Sequence, residues 1–159
     1  MKNKFQIFAE IAKLRITIFV TVTTMFGFIA ATGSINSQII LPALGILLLA
    51  CGSAALNHYQ ERKTDVLMER TKNRPIPSGK ISAKSTLQLS VALVVLGSIL
   101  LFIGSGLLAL LLGLLNLIWY NVVYTPLKKI SPLAIVPGSL VGAIPPIVGW
   151  VAGGGNILD

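Results

Sequence analysis

From Ile16 to Gln60 the chain reads ITIFVTVTTMFGFIAATGSINSQIILPALGILLLACGSAALNHYQ, 45 residues without one Lys, Arg, Asp or Glu. A helix needs about 20 apolar residues to cross the hydrocarbon of a bilayer. The run therefore holds two spans, parted by the polar turn Thr32-Gly33-Ser34-Ile35-Asn36-Ser37-Gln38. Two more uncharged runs follow, 43 residues over 85–127 and 29 over 130–158. The first is long enough for two spans with a break at Gly104-Ser105-Gly106, and the second for one. The expected spans are 16–31, 39–56, 86–103, 107–124 and 133–152, an all-α integral membrane protein of about five transmembrane helices. Composition agrees. Hydrophobic residues make up 54% and charged residues 11%, with a mean hydropathy of +0.84. Soluble domains carry roughly 25% charged residues, so a soluble enzyme is excluded, as is a disordered chain. The single cysteine, Cys51, excludes a disulfide framework and any multi-cysteine metal site.

The 13 Lys and Arg stand against five acids, a net charge of +8, and they fall in three groups. Lys2, Lys4, Lys13 and Arg15 come first, then seven between Arg62 and Lys84, then Lys128 and Lys129. The turns near Gly33 and Gly104 carry none, nor does the stretch after Trp150. In a five-pass arrangement every basic residue then lies on one side, which the positive-inside rule makes cytoplasmic. The N-terminus is expected inside, residues 57–85 form a cytoplasmic loop, and the C-terminal end with Asp159 lies outside. Residues 1–13, with Phe5, Ile7, Phe8 and Ile11 among charges, read as an amphipathic segment on the inner surface. Charges reaching Arg15, with no small-residue cleavage pattern, exclude a signal peptide. Ser82 or Ser85 is expected to cap the third span and Pro126 to end the fourth. Pro145-Pro146 is tolerated where freed carbonyls line a protein cavity, and is expected to border one. His58 reads as a structural or solvent-facing residue rather than a haem ligand, Cys51 as a small packing residue, and Gly27, Gly45, Gly52 and Gly97 as close contacts between helices.

Three of the five acids, Glu61, Asp65 and Glu69, lie in the segment that follows the second span. Asn57, Glu61 and Asp65 are spaced i, i+4, i+8, so they share one helical face. In a soluble protein such a stripe is a solvated face with local salt bridges, Glu61 to Arg62 or Lys63. In a chain with acids almost nowhere else, stacked oxygen ligands point to a hard divalent cation such as Mg²⁺, provided a substrate supplies further oxygens. Arg70, Lys72 and Arg74 follow, and arginines pair well with phosphate oxygens. Carboxylates beside arginines at the inner membrane surface suggest a diphosphate whose tail lies among the helices.

Asn57-x-x-x-Glu61-x-x-x-Asp65 resembles the first acidic motif of the UbiA-type intramembrane prenyltransferases. With Met68-x-Arg70-Thr71-x-x-Arg74-Pro75-x-Pro77-x-Gly79 it resembles one branch, the protoheme IX farnesyltransferases or haem O synthases. Tyr124-Thr125-Pro126-Leu127-Lys128-Lys129 resembles the family's second cytoplasmic loop, and Gly142-Ala143-Ile144-Pro145-Pro146-Ile147-Val148-Gly149-Trp150 its fifth-helix signature. Lys13-Leu14-Arg15 resembles its Lys-Pro-Arg start, with Leu14 in place of proline. The resemblance implies a nine-helix bundle and Mg²⁺ held by Asn57, Glu61 and Asp65, which would be the catalytic residues. Arg70, Arg74, Tyr124 and Lys128 would then bind the diphosphate. It implies farnesyl diphosphate and haem b as substrates: the diphosphate leaves, a haem vinyl group attacks the allylic cation, and water completes haem O. It further implies a multi-pass protein of the plasma (inner) membrane, with haem A synthase or oxidase assembly factors as partners and no nucleic acid.

Two other classes stay open on the residues alone. One is a prenyltransferase of the same superfamily acting on a quinone precursor, against which Glu61 and the 68–79 string argue. The other is a non-enzymatic anchor or assembly subunit, which needs positive charge but no Asn-Glu-Asp stripe. Because the family carries a second acidic motif on a later loop, the 159 residues are expected to be an N-terminal part, inactive alone. The topology has its own test. Single cysteines at Ser34 and Lys72, in a Cys51→Ser background, are probed on intact cells with a membrane-impermeant thiol reagent. Position 34 should label and position 72 should not, and the reverse pattern would sink the orientation.

Overall fold

The computed structural model describes residues 3–157, so the expectations for Lys2 and for an outer Asp159 lie outside the described residues. The chain opens with a short helix, α1 (Lys4–Ile11), closed at its start by Asn3 and Gln6, each side chain bonding the other's backbone N–H at 2.8 and 3.0 Å. Its apolar side turns inward: Ile11 and Ala12 are fully buried, and Phe8 packs against the cluster of Ala12, Cys51 and Leu93. Lys13, in the left-handed conformation (φ 50°), then breaks the helix and redirects the chain into α2 (Leu14–Thr32). Gly33 ends α2 at φ 68°, donating its N–H to the Ile29 carbonyl.

A 3₁₀ turn at Ser37–Ile39, capped by Asn36, leads into α3 (Ile40–Asp65). This helix is the centre of the bundle. Of its most apolar window 56% is buried, against 17–22% for the other apolar stretches. The rest present Phe19, Phe26, Leu107, Val122 and similar side chains outward, as lipid-facing helices do.

Next comes an unbroken apolar stretch over Ala83–Leu127, 45 residues long. Drawn out as one helix it would be about 68 Å long, more than twice the ~30 Å hydrocarbon core, so it has to fold. It contains α4 (Ala83–Ile118), a π-helical stretch (Trp119–Tyr124) and α5 (Thr125–Leu127). The reversal sits at Gly106, whose φ 76° and ψ −173° are a region open essentially to glycine alone. Ser90 bonds the Gly52 carbonyl at 2.7 Å while Asn121 bonds Ser53 at 2.6 Å, so the two arms return to one depth on α3. Ser82 caps the outgoing arm, its Oγ accepting from the Ser85 N–H at 3.0 Å.

Pro126 does not end the helix, contrary to the expectation from sequence. In the i→i−5 register of the preceding π stretch, Pro126 leaves the Asn121 carbonyl without a backbone donor, and the side-chain Nε2 of Gln60 in α3 donates to it instead at 3.3 Å. After a 3₁₀ turn at Pro132–Ala134, α6 (Ile135–Ala152) runs back with Pro145 and Pro146 inside it. Those two rings do not line the main cavity described below, although Val141, whose carbonyl Pro145 frees, does. Pro146 instead lies against α2, its carbonyl pressed on Gly27, while Gly149 faces the Thr24 carbonyl equally closely.

A side chain at either glycine would overlap backbone that cannot give way. Gly149→Ala should lower stability by about 1–3 kcal/mol, read as earlier unfolding in a denaturant titration in mixed micelles. Gly142→Ala, whose added carbon would meet nothing within 4 Å, is the control and should stay within about 0.5 kcal/mol. Equal unfolding of the two variants would contradict the close α2–α6 contact.

Candidate functional site

The last turns of α3 carry Asn57, Glu61 and Asp65 on one face, and all three are buried, the Glu61 and Asp65 side chains to 7% and 4% exposure. Two carboxylates one turn apart and out of water repel each other, and both need cations. Arg74 supplies most of the compensation. Its Nη1 lies 2.9 and 2.8 Å from the two Asp65 oxygens and 3.3 Å from Glu61 Oε2. Lys128 Nζ meets Glu61 Oε1 at 2.9 Å. Burial works against the Arg74 charge, but Asp65 and Glu61 outweigh it and hold the guanidinium above its ordinary range.

Local backbone chemistry delivers Arg74. Past Asp65 the chain turns on itself: Thr71 Oγ1 donates to the Asp65 carbonyl at 3.1 Å and the Arg74 N–H to the Thr71 carbonyl at 2.9 Å. Ser78 Oγ donates back to the Arg74 carbonyl at 2.7 Å, Pro75 is buried, and Gly79 closes the turn at φ 71°. The segment is a compact clamp on the end of α3. Arg70, by contrast, is exposed on the rim, and Lys72 pairs outward with Glu69.

A third cation reaches the stripe. Lys13 Nζ donates to Asn57 Oδ1 at 2.7 Å and to the Tyr120 hydroxyl at 3.1 Å. Burial, reinforced by Lys128 and Arg74 nearby, pushes its ammonium down to about 8. Tyr120 and Tyr124 stack at 5.6 Å, with Lys13 and Lys128 over their respective rings at 5.8 and 5.5 Å. These groups frame the mouth of a cavity of about 710 Å³. Glu61, Asp65, Arg74 and Lys128 line its charged end, and Val20, Ile46, Leu49 and Leu117 its apolar end. Ile46 and Glu61 stand about four turns apart on α3, roughly 22 Å at ~1.5 Å per residue.

Of the residues expected from sequence, the structure gathers Glu61, Asp65, Arg74, Tyr124 and Lys128 on one cavity and leaves Arg70 at its edge. Asn57 stands behind Lys13, off the cavity wall. His58 and Cys51 are buried in packing positions, also off that wall. Lys13, Tyr120 and Thr125 escaped the sequence reading as site residues. The signals for two of them were the Lys13-Leu14-Arg15 start before the first span, and Thr125 inside the Tyr124–Lys129 string. Among the described residues no three His, Cys, Asp or Glu side chains come together. The donor set is hard oxygen from two adjacent carboxylates, which suits Mg²⁺ only when ligand oxygens complete the shell.

The family model for "UbiA prenyltransferase family" matches residues 19–159. The protoheme IX farnesyltransferase of Oleidesulfovibrio alaskensis is 34% identical over 149 residues, covering 94% of this chain and 53% of the relative. Protoheme IX farnesyltransferase 1 of Pseudomonas putida (strain W619) is 38% identical over 153 residues, covering 94% and 52%. A solved structure, described as giving structural and mechanistic insights into the biosynthesis of digeranylgeranylglyceryl phosphate synthase in membranes, shares the fold. Its TM-score is 0.85 at 20% identity, over 94% of this chain and 53% of that one. The chain thus spans about half the length of the curated relatives it matches. A multi-pass helical bundle of this shape, matched by the family's pattern along nearly its whole length, belongs to the UbiA prenyltransferase family.

Proposed function

We propose that this chain forms the diphosphate-handling part of a plasma-membrane prenyltransferase that joins farnesyl diphosphate to haem b, with water, to give haem O and diphosphate. One observation carries the reading: a single cavity runs from a cluster of two carboxylates and three cations to an apolar wall of helix side chains. That polarity fits a ligand with an anionic head and a long hydrocarbon tail. The names of the relatives supply the identity of the prenyl group and the acceptor.

Each residue has a task on this reading. Arg74 and Lys128, 21% and 28% exposed, can swing from the carboxylates onto phosphate oxygens. Glu61 and Asp65 would then hold Mg²⁺, directly or through water. When bound, Mg²⁺ supplies Lewis-acid neutralisation of charge on the leaving diphosphate. The stacked Tyr120 and Tyr124 rings line the cavity, where their π systems would stabilise an allylic cation formed as the C–O bond breaks. The apolar wall keeps bulk water from that cation until the acceptor reaches it.

The test uses membranes expressing the full gene, supplied with haem b, farnesyl diphosphate and MgCl₂, with haem O measured by chromatography. Glu61→Gln and Asp65→Asn should each lower kcat roughly 100-fold or more, as expected for several kcal/mol of charge stabilisation. Folding is checked separately by thermal unfolding, since Arg74 loses a partner in both. Wild-type turnover by either variant across a MgCl₂ titration would remove the carboxylates from the reaction.

A further inference from the structure

Asn57 shares a helix face with Glu61 and Asp65 but not the cavity they line. It has no exposed surface and is absent from the cavity wall that Glu61 and Asp65 share. Both of its amide atoms are engaged. Oδ1 accepts from Lys13 Nζ at 2.7 Å and Nδ2 donates to Thr125 Oγ1 at 3.0 Å. Thr125 Oγ1 in turn donates to the Tyr120 carbonyl at 2.8 Å, inside the π-helical stretch, so that hydroxyl is fixed. An ammonium only donates, and the Thr125 proton is already committed, so the orientation of the amide is determined. A carboxylate in its place could accept from Lys13 but would face the Thr125 oxygen without a proton between them.

What this chain of bonds aims is Lys13. The residue is the one non-glycine with positive φ among the described residues, a conformation disfavoured for any residue with a Cβ. Its ammonium lines the cavity mouth beside the Tyr120 hydroxyl. We propose that Asn57 is a positioning residue, acting through Lys13 by holding that ammonium on the cavity wall where phosphate oxygens are received, and that it is not a metal ligand. The proposal rests on the diphosphate reading of the site.

Inorganic pyrophosphate is the probe, titrated calorimetrically into the 159-residue chain in lipid nanodiscs, once with MgCl₂ and once with EDTA. Asn57→Ala should weaken binding about tenfold, the loss of one aimed charge-assisted hydrogen bond, and by the same factor in EDTA. The Asn57→Ala/Lys13→Ala double variant should bind no more weakly than Lys13→Ala, because the two changes remove one interaction. Thr125→Val, which takes away the acceptor of Nδ2 without touching the cavity, should give a smaller loss in the same direction, also absent in the Lys13→Ala background. Glu61→Gln should abolish the MgCl₂ enhancement that Asn57→Ala retains. Unchanged affinity of Asn57→Ala in EDTA, or a loss seen only with MgCl₂, would overturn the proposal in favour of a ligand role. If Asn57→Ala does not fold, the Thr125→Val and Lys13→Ala cycle decides, and additive losses there overturn it. No binding of pyrophosphate by the unaltered chain in either condition would overturn the diphosphate reading itself and this proposal with it.

Discussion

A carboxylate buried at the end of a membrane helix has to be met by a cation, and α3 buries two of them one turn apart. Removing one partner from such a cluster leaves a buried charge uncompensated, at about 3–5 kcal/mol. Arg74 arrives from the segment after α3 and Lys128 from the end of the returning arm. Both connections are therefore drawn onto the same face. The Thr71 bond to the Asp65 carbonyl and the Ser78 bond to the Arg74 carbonyl make sense as the scaffolding that keeps a guanidinium in reach.

Along its length α3 uses two kinds of contact, and the change between them marks the change of surroundings. In its apolar part Gly45 and Gly52 let α4 approach so closely that an added carbon at Gly45 would lie 2.8 Å from the Leu101 nitrogen. That is packing without a hydrophobic driving force, dependent on small residues. Toward the charged end the contacts become hydrogen bonds: Ser53 to Asn121, Asn57 to Thr125, Gln60 to the Asn121 carbonyl. The returning arm makes this possible where its ladder changes register: Pro126 leaves the Asn121 carbonyl for Gln60, and the Tyr120 carbonyl, bonded by the Thr125 N–H, takes the Thr125 hydroxyl as a second donor.

Uncharged runs longer than a bilayer is thick, glycine at the reversal and a periodic acid stripe are local signals, and they were legible before any coordinates. Gly106 turns the chain within the Gly104-Ser105-Gly106 break, and Ser82 was one of two expected caps. What was not legible depends on partners distant in sequence. Pro126 inside a helix is intelligible only once Gln60 is seen to satisfy Asn121. Periodicity put Asn57 on the face of the carboxylates, but it could not show that Lys13, 44 residues earlier, takes its oxygen. Arg70 and Arg74 looked equivalent as neighbours of the stripe. The turn fixed by Thr71 and Pro75 buries one against it and leaves the other in the open.

The cluster also has an asymmetry that bears on how it would receive a ligand. Lys13, Arg74 and Lys128 outnumber Glu61 and Asp65, and Arg70 and Lys129 add positive charge where they line the cavity. Such an excess favours an anion over a bare metal ion, which would meet three positive charges on approach. The carboxylates sit on a rigid helix with 7% and 4% exposure, whereas Arg74 and Lys128 hang on long side chains at 21% and 28%. The cations are the parts that can move. On the diphosphate reading, phosphate oxygens draw Arg74 and Lys128 away, and only then do the Glu61 and Asp65 oxygens become free to bind a cation. Side-chain length and burial would thus put the anion first, its charge then offsetting the desolvation of a cation held by the two carboxylates.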